Sequence, residues 1–153
     1  MRRLIASWFG SGFILQRLRG SLKGSGTLTS ALTFPIALAV GEIAGAWGQI
    51  AALVIVTAAG LWAAGEAIGA EGDAPWIVID EAAGMFLAVI GLTFSPAALA
   101  AFLVFRAADI GKDIFIGVGA AERRLPGAWG VMGDDLAAGL YGLAAGHAVR
   151  VFL

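Results

Sequence analysis

The chain has 153 residues, 59% of them hydrophobic and 14% charged, with 23 glycines, one histidine, no cysteine and a net charge of −1; its mean hydropathy is +0.88. That length suits one domain over 1–153, and so few charges cannot cover a soluble domain of this size, so an all-α integral membrane protein rich in small, close-packing residues is expected. Nucleic acid is excluded as a partner for want of a basic excess, cysteine chemistry and disulfides are excluded outright, and a lone His147 excludes two-histidine zinc sites.

In chain order, the first apolar stretch follows Arg2 and Arg3 and is interrupted by Gln16, Arg17 and Arg19, so a signal peptide is not expected. Residues 28–41 carry no charge, and this first segment extends past Glu42 to Gly45. Residues 47–65 form an unbroken uncharged run long enough to span a bilayer. Residues 82–105 are uncharged but broken by Thr93-Phe94-Ser95-Pro96, which predicts a helical hairpin. Residues 136–149 are the last apolar segment, ending at Arg150. The expectation is a polytopic bundle of five membrane helices.

The connections set its sidedness. The turns at 45–48 and 93–95 carry no charge, whereas the other connections hold Arg17, Arg19 and Lys23, then Glu71 and Asp73, then Arg106, Lys112, Arg123 and Arg124. Alternating crossings place nine of the ten basic residues on one face, with Arg150 the exception. The positive-inside rule makes that face, and the N-terminus, cytoplasmic.

The same topology sorts the acids. Asp73, Asp80, Glu81, Asp109, Asp113, Asp134 and Asp135 all fall at the cytoplasmic surface, and only Glu42 falls on the far side. Three helix ends thus each contribute an acidic element: Asp80-Glu81, Asp109 with Asp113, and Asp134-Asp135. Asp109 and Asp113, spaced i, i+4, share a face on a continuing helix. Oxygen ligands without His or Cys suit Mg²⁺, Mn²⁺ or Ca²⁺. Carboxylates, a divalent cation, Arg106 and Lys112 together form the combination for phosphoryl chemistry. Gly24-Ser25-Gly26-Thr27, beside Lys23, adds a glycine-rich turn able to aim N–H groups at a phosphate.

Phe9-Gly10-Ser11-Gly12, Gly26-Thr27-x-x-Ser30, Asp73-x₆-Asp80-Glu81-x-x-Gly84, Phe105-Arg106-x-x-Asp109-x-x-Lys112 and Gly130-x-Met132-x-Asp134-Asp135-x-x-Ala138-Gly139 occur in order over nearly the whole chain. In this the sequence resembles the phosphatidylglycerophosphatase A family. The resemblance implies a bacterial inner-membrane, Mg²⁺-dependent lipid phosphatase that converts phosphatidylglycerol phosphate to phosphatidylglycerol and phosphate. Ser25 stands where the family usually has proline, Thr29 where it has a second glycine, and Asp113-Ile114-Phe115-Ile116 where it tends to have a proline-rich run. The segment between Gly12 and Gly26 is longer and more basic than the family's.

The expected site comprises Asp80, Glu81, Asp109, Asp134 and Asp135 as metal ligands and catalytic acids, with Asp73 as a further candidate ligand. Thr27, Arg106 and Lys112 are expected to hold phosphate oxygens. The simplest chemistry is metal-assisted attack of water, with one of the carboxylates as general base. Plainer readings compete: an acidic pair at a helix N-terminus for Asp80-Glu81, a capping pair for Asp134-Asp135, ion pairing with Arg106 or Lys112 for Asp109, and a turn residue before Pro75 for Asp73. His147 and the tryptophans at segment ends are expected to be structural or interfacial. A cation-coupled transporter would also bury acids in a helical bundle, but it predicts them near mid-bilayer rather than at one face.

Overall fold

The computed structural model describes residues 1–71 and 74–153, without the side chains of Gln16, Arg19, residues 66–71 and Glu122. Asp73 lies outside the described residues, as does the side chain of Glu66. The described chain is all helical: α1 (Arg2–Ala6), a 3₁₀ turn (Ser11–Phe13), α2 (Ile14–Arg19), α3 (Ser25–Glu71), α4 (Ile79–Ala88), α5 (Pro96–Ile110), α6 (Val118–Arg124) and α7 (Ala128–Phe152).

Helix α3 is two arms rather than one rod. Gly45 breaks it with φ 64° and ψ −167°, a backbone conformation that only glycine adopts cheaply. The Gln49 side-chain amide donates to the Ala37 carbonyl at 3.1 Å. Twelve residues along a straight helix would separate these by about 18 Å, so the chain must turn back at Gly45. A Cβ on Gly48 would collide with the Ala44 methyl, which shows how tight the reversal is. The expected uncharged turn at 45–48 and the two apolar segments flanking it are therefore present as the arms 25–44 and 46–71.

Ser25–Gly65 is the one stretch among the described residues long and apolar enough to cross a membrane, and only 17% of its most apolar window is buried. A soluble protein would bury such a helix; here Ile36, Ile43, Trp47, Val54, Ile55 and Trp62 face outward, as in a lipid-facing surface.

The hairpin expected over 82–105 appears as α4 and α5, with Ser95 capping α5 through a 3.2 Å bond from the Ala98 N–H and Pro96 in its first turn. Ten and fifteen residues make these helices about 15 and 22 Å long, each short of the ~30 Å hydrocarbon thickness. Gln49 pins the connection 89–95 between them: its amide donates to the Leu92 carbonyl and its carbonyl accepts from the Gly91 N–H at 2.7 Å. The last apolar segment belongs to α7, which begins earlier than expected, at Ala128.

Helix α7 packs against α4, α5 and α6. Glycines bring the backbones into direct contact. A Cβ on Gly84 would lie 2.7 Å from the Asp135 carbonyl, one on Gly139 2.7 Å from the Gly84 carbonyl, and one on Gly142 2.7 Å from the Ala101 carbonyl. Phe105, Ile79, Met85, Met132, Leu38 and Leu92 fill the rest of the core. The packing leaves the start of α4, the end of α5 and the first turns of α7 facing one another at one end of the bundle.

Candidate active site

Asp80 and Glu81 sit in the first turn of α4, where the helix dipole favours negative charge by roughly 0.3–1 kcal/mol. That is small against the cost of burying two carboxylates, so the dipole alone does not account for them. Asp134 and Asp135 are not a capping pair, because the N-cap of α7 is Gly127. Both aspartates lie inside the helix, 3% exposed, facing the α4 start. Asp109 is in the last turn of α5.

Asp80, Glu81 and Asp135 converge: each offers a carboxylate oxygen, and these three oxygens lie within 4.8 Å of one another. Asp80 Oδ1, Glu81 Oε2 and Asp135 Oδ1 are buried without a hydrogen-bond partner. The three residues precede the apolar segments 82–105 and 136–149, at the edge of the bundle. Burial raises the proton affinity of all three. For Asp80 the charge of Glu81 adds to it, for Glu81 that of Asp135 does, bringing Glu81 to about 8, and for Asp135 that of Asp80 does. Orphaned, mutually repelling oxygens of this kind are what a hard divalent cation satisfies, and an all-oxygen donor set fits Mg²⁺, Mn²⁺ or Ca²⁺.

The other two acids have cationic partners. Lys112 Nζ pairs with Asp134 Oδ2, and Asp134 Oδ1 accepts from the Asp135 N–H at 3.0 Å. Arg106 Nη1 is 2.5 Å from Asp109 Oδ2. The same guanidinium donates to Ser30 Oγ at 3.2 Å and to Thr27 Oγ1 at 3.0 Å. With all five carboxylates ionised, Arg106 and Lys112 would leave three negative charges in excess.

A cavity of about 320 Å³ opens onto this cluster, lined by Asp80, Glu81, Asp109, Lys112, Asp134 and Asp135 together with residues 22–25 and 74–75. Lys112 lines the cavity beside these carboxylates. Arg106 and Thr27 do not line it; Arg106 is 9% exposed and its Nη groups are taken up by Thr27, Ser30 and Asp109. Asp113 stays out of the cluster, because α5 stops at Ile110 with Gly111 as its C-cap. Its carboxylate is 92% exposed and meets Arg123 at 3.5 Å.

Three contributors were not singled out from sequence as site residues. Ser30 shares Arg106 with Asp109. Gly26 lies under the Glu81 carboxylate so closely that a Cβ would collide with Oε1. Lys23 lines the cavity. The glycine-rich turn at 24–27 was the available signal for the last two. Ser25 and Thr29, the two departures in this loop, each make a hydrogen bond: Ser25 Oγ donates to the Pro75 carbonyl at 2.6 Å, and Thr29 Oγ1 shares a 2.8 Å bond with Ser11 Oγ. At the opposite end of the bundle, His147 Nε2 meets the Ile90 carbonyl at 2.8 Å and Arg150 donates to that of Gly91 at 3.0 Å.

The family model for phosphatidylglycerophosphatase A matches residues 4–150, nearly the whole chain. No curated protein and no solved structure matches.

Proposed function

The chain belongs to the phosphatidylglycerophosphatase A family of lipid phosphomonoesterases, and from that premise we propose that it hydrolyses phosphatidylglycerol phosphate to phosphatidylglycerol and phosphate with Mg²⁺ as cofactor. The observation that carries the cofactor assignment is the convergence of Asp80, Glu81 and Asp135, whose orphaned oxygens share one cavity wall with Lys112. These three would hold the cation, with Asp109 and Asp134 beside them. When bound, Mg²⁺ supplies positive charge to the non-bridging phosphate oxygens and makes water a better nucleophile.

The chain's own residues do the rest. Lys112, steadied by Asp134, directs its ammonium at a phosphate oxygen of the lipid. Arg106 acts from behind the wall: it clamps Asp109, and through Thr27 and Ser30 ties the end of α5 to the start of α3. A carboxylate of the wall takes the proton released when water attacks phosphorus. Gly26 leaves Glu81 room to reach the cavity.

Both arms of α3 cross the bilayer in this reading, joined by the outer turn at Gly45, while the α4–α5 hairpin and α7 insert beside them. Arg2, Arg3, Lys23, Lys112, Arg123 and Arg124 then accompany the active site on the cytoplasmic side of a bacterial inner membrane. The lipid's acyl chains stay in the bilayer, and only the headgroup enters the cavity.

Purified protein in detergent micelles should release inorganic phosphate from phosphatidylglycerol phosphate when Mg²⁺ is present and stop when EDTA is added. Ion flux into liposomes with no phosphate release would replace this reading with the transporter.

A further inference from the structure

The substrate read above carries two phosphates, the terminal monoester that is removed and the diester that remains in the product. The carboxylate wall and Lys112 account for the first. The second is one glycerol away and brings its own negative charge toward a cavity that already holds five carboxylates. Of the cations near the cavity, Arg106 is committed to Asp109, and Lys112, beside Asp134, is already assigned to the terminal phosphate.

Lys23 is placed differently. It lines the same cavity, on the segment 22–25 that leads into α3, its residue is exposed, and no carboxylate among the described residues pairs with its ammonium. The segment is anchored rather than loose. Gly24, with φ 84°, turns the chain into α3, Ser25 Oγ is bonded to the Pro75 carbonyl, and the Lys23 N–H is bonded to Ser21 Oγ at 3.2 Å. A cavity of about 320 Å³ is at the small end of ligand sites, so a headgroup whose terminal phosphate meets the carboxylates lies close to the rest of the lining, Lys23 included.

Resting on the lipid-phosphatase reading, we propose that Lys23 binds the phosphodiester of the headgroup and so selects lipids carrying two phosphates over phosphatidic acid, whose single phosphate is attached directly to diacylglycerol. A charged hydrogen bond of this kind is a matter of about tenfold in kcat/KM, expressed mainly in KM because the diester is bound alike in ground and transition states.

The experiment compares phosphatidylglycerol phosphate with phosphatidic acid as substrates in neutral detergent micelles, where no anionic lipid surface can attract a lysine. In Lys23→Ala the ratio of kcat/KM for the first over the second should fall about tenfold, through KM, and Lys23→Arg should keep most of it. An unchanged ratio, or an equal loss on both lipids, overturns the proposal while leaving the phosphatase reading standing. Wild-type protein that releases phosphate from neither lipid overturns that underlying reading itself.

Discussion

The two ends of the helical bundle bury polar groups in opposite ways. At the Gly45 end, Gln49 is fully buried and spends its amide on the Ala37 and Leu92 carbonyls and its carbonyl on the Gly91 N–H. His147 and Arg150 close the same connection by bonding the Ile90 and Gly91 carbonyls. At the other end, about 20 Å away along α7, Asp80, Glu81 and Asp135 leave one buried oxygen each without a partner. A polar group that is fully bonded within the protein holds the fold together. One left unsatisfied is a cost that the fold tolerates only where something else completes it. The contrast is what the proposed site predicts: one end satisfied within the protein, the other left for a ligand to complete.

The sharpest way to break the contrast is to remove a member of the orphaned trio. Asp80→Asn and Asp135→Asn should each lower phosphate release by more than about 100-fold. In wild type, Mg²⁺ should raise the thermal unfolding midpoint in detergent, and EDTA should reverse the rise; in both variants the response should vanish. Full activity in either variant would remove these carboxylates from the site.

Arg106→Met should come next in size. It strands Asp109, whose side chain is 12% exposed, beside other carboxylates, and breaking such a pair costs about 3–5 kcal/mol. Activity should fall together with denaturant resistance. If Arg106 contacted phosphate directly, KM would rise while stability held.

Gln49→Leu tests the other end. Leaving the Leu92 carbonyl and the Gly91 N–H without the Gln49 partner should cost about 2 kcal/mol, read as a lower unfolding midpoint. The Mg²⁺ response and KM of the folded enzyme should be unaltered, so a KM change would show that the ends are coupled. Smallest of all, His147→Phe should cost about 1 kcal/mol through the lost bond to Ile90, with no effect on turnover.

Much of this division is legible in the chain. Uncharged runs place the arms of α3, the α4–α5 hairpin and α7, and the acids interrupting them mark the end where Asp80, Glu81 and Asp135 converge. Ser95-Pro96 announces the start of α5 because capping and proline act within one turn. What the sequence hides is set by pairings over long separations. Arg106 could face phosphate or Asp109 with equal local logic. Its choice depends on Thr27 and Ser30, 79 and 76 residues earlier, arriving beside it. Asp113 keeps helical spacing from Asp109, yet Gly111 ends the helix between them. Gln49 holds the 89–95 connection from 42 and 43 residues away, which no periodicity in residues 82–105 can reveal. Helix α6 carries no apolar run and left no signal.

The glycine seam along α7 has a mechanical consequence. Where Gly84 meets the Asp135 carbonyl and Gly139 meets the Gly84 carbonyl, main chain rests on main chain with no rotatable side chain between. The spacing between Asp80 and Asp135 is therefore fixed by hard contact four residues from the first and at the second itself, much as a machined stop sets a tolerance. Thermal fluctuations that would let a looser interface slip by an ångström meet steep repulsion here. The carboxylates can then keep their separation whether the cavity is filled or empty, with little reorganisation as each headgroup arrives and leaves.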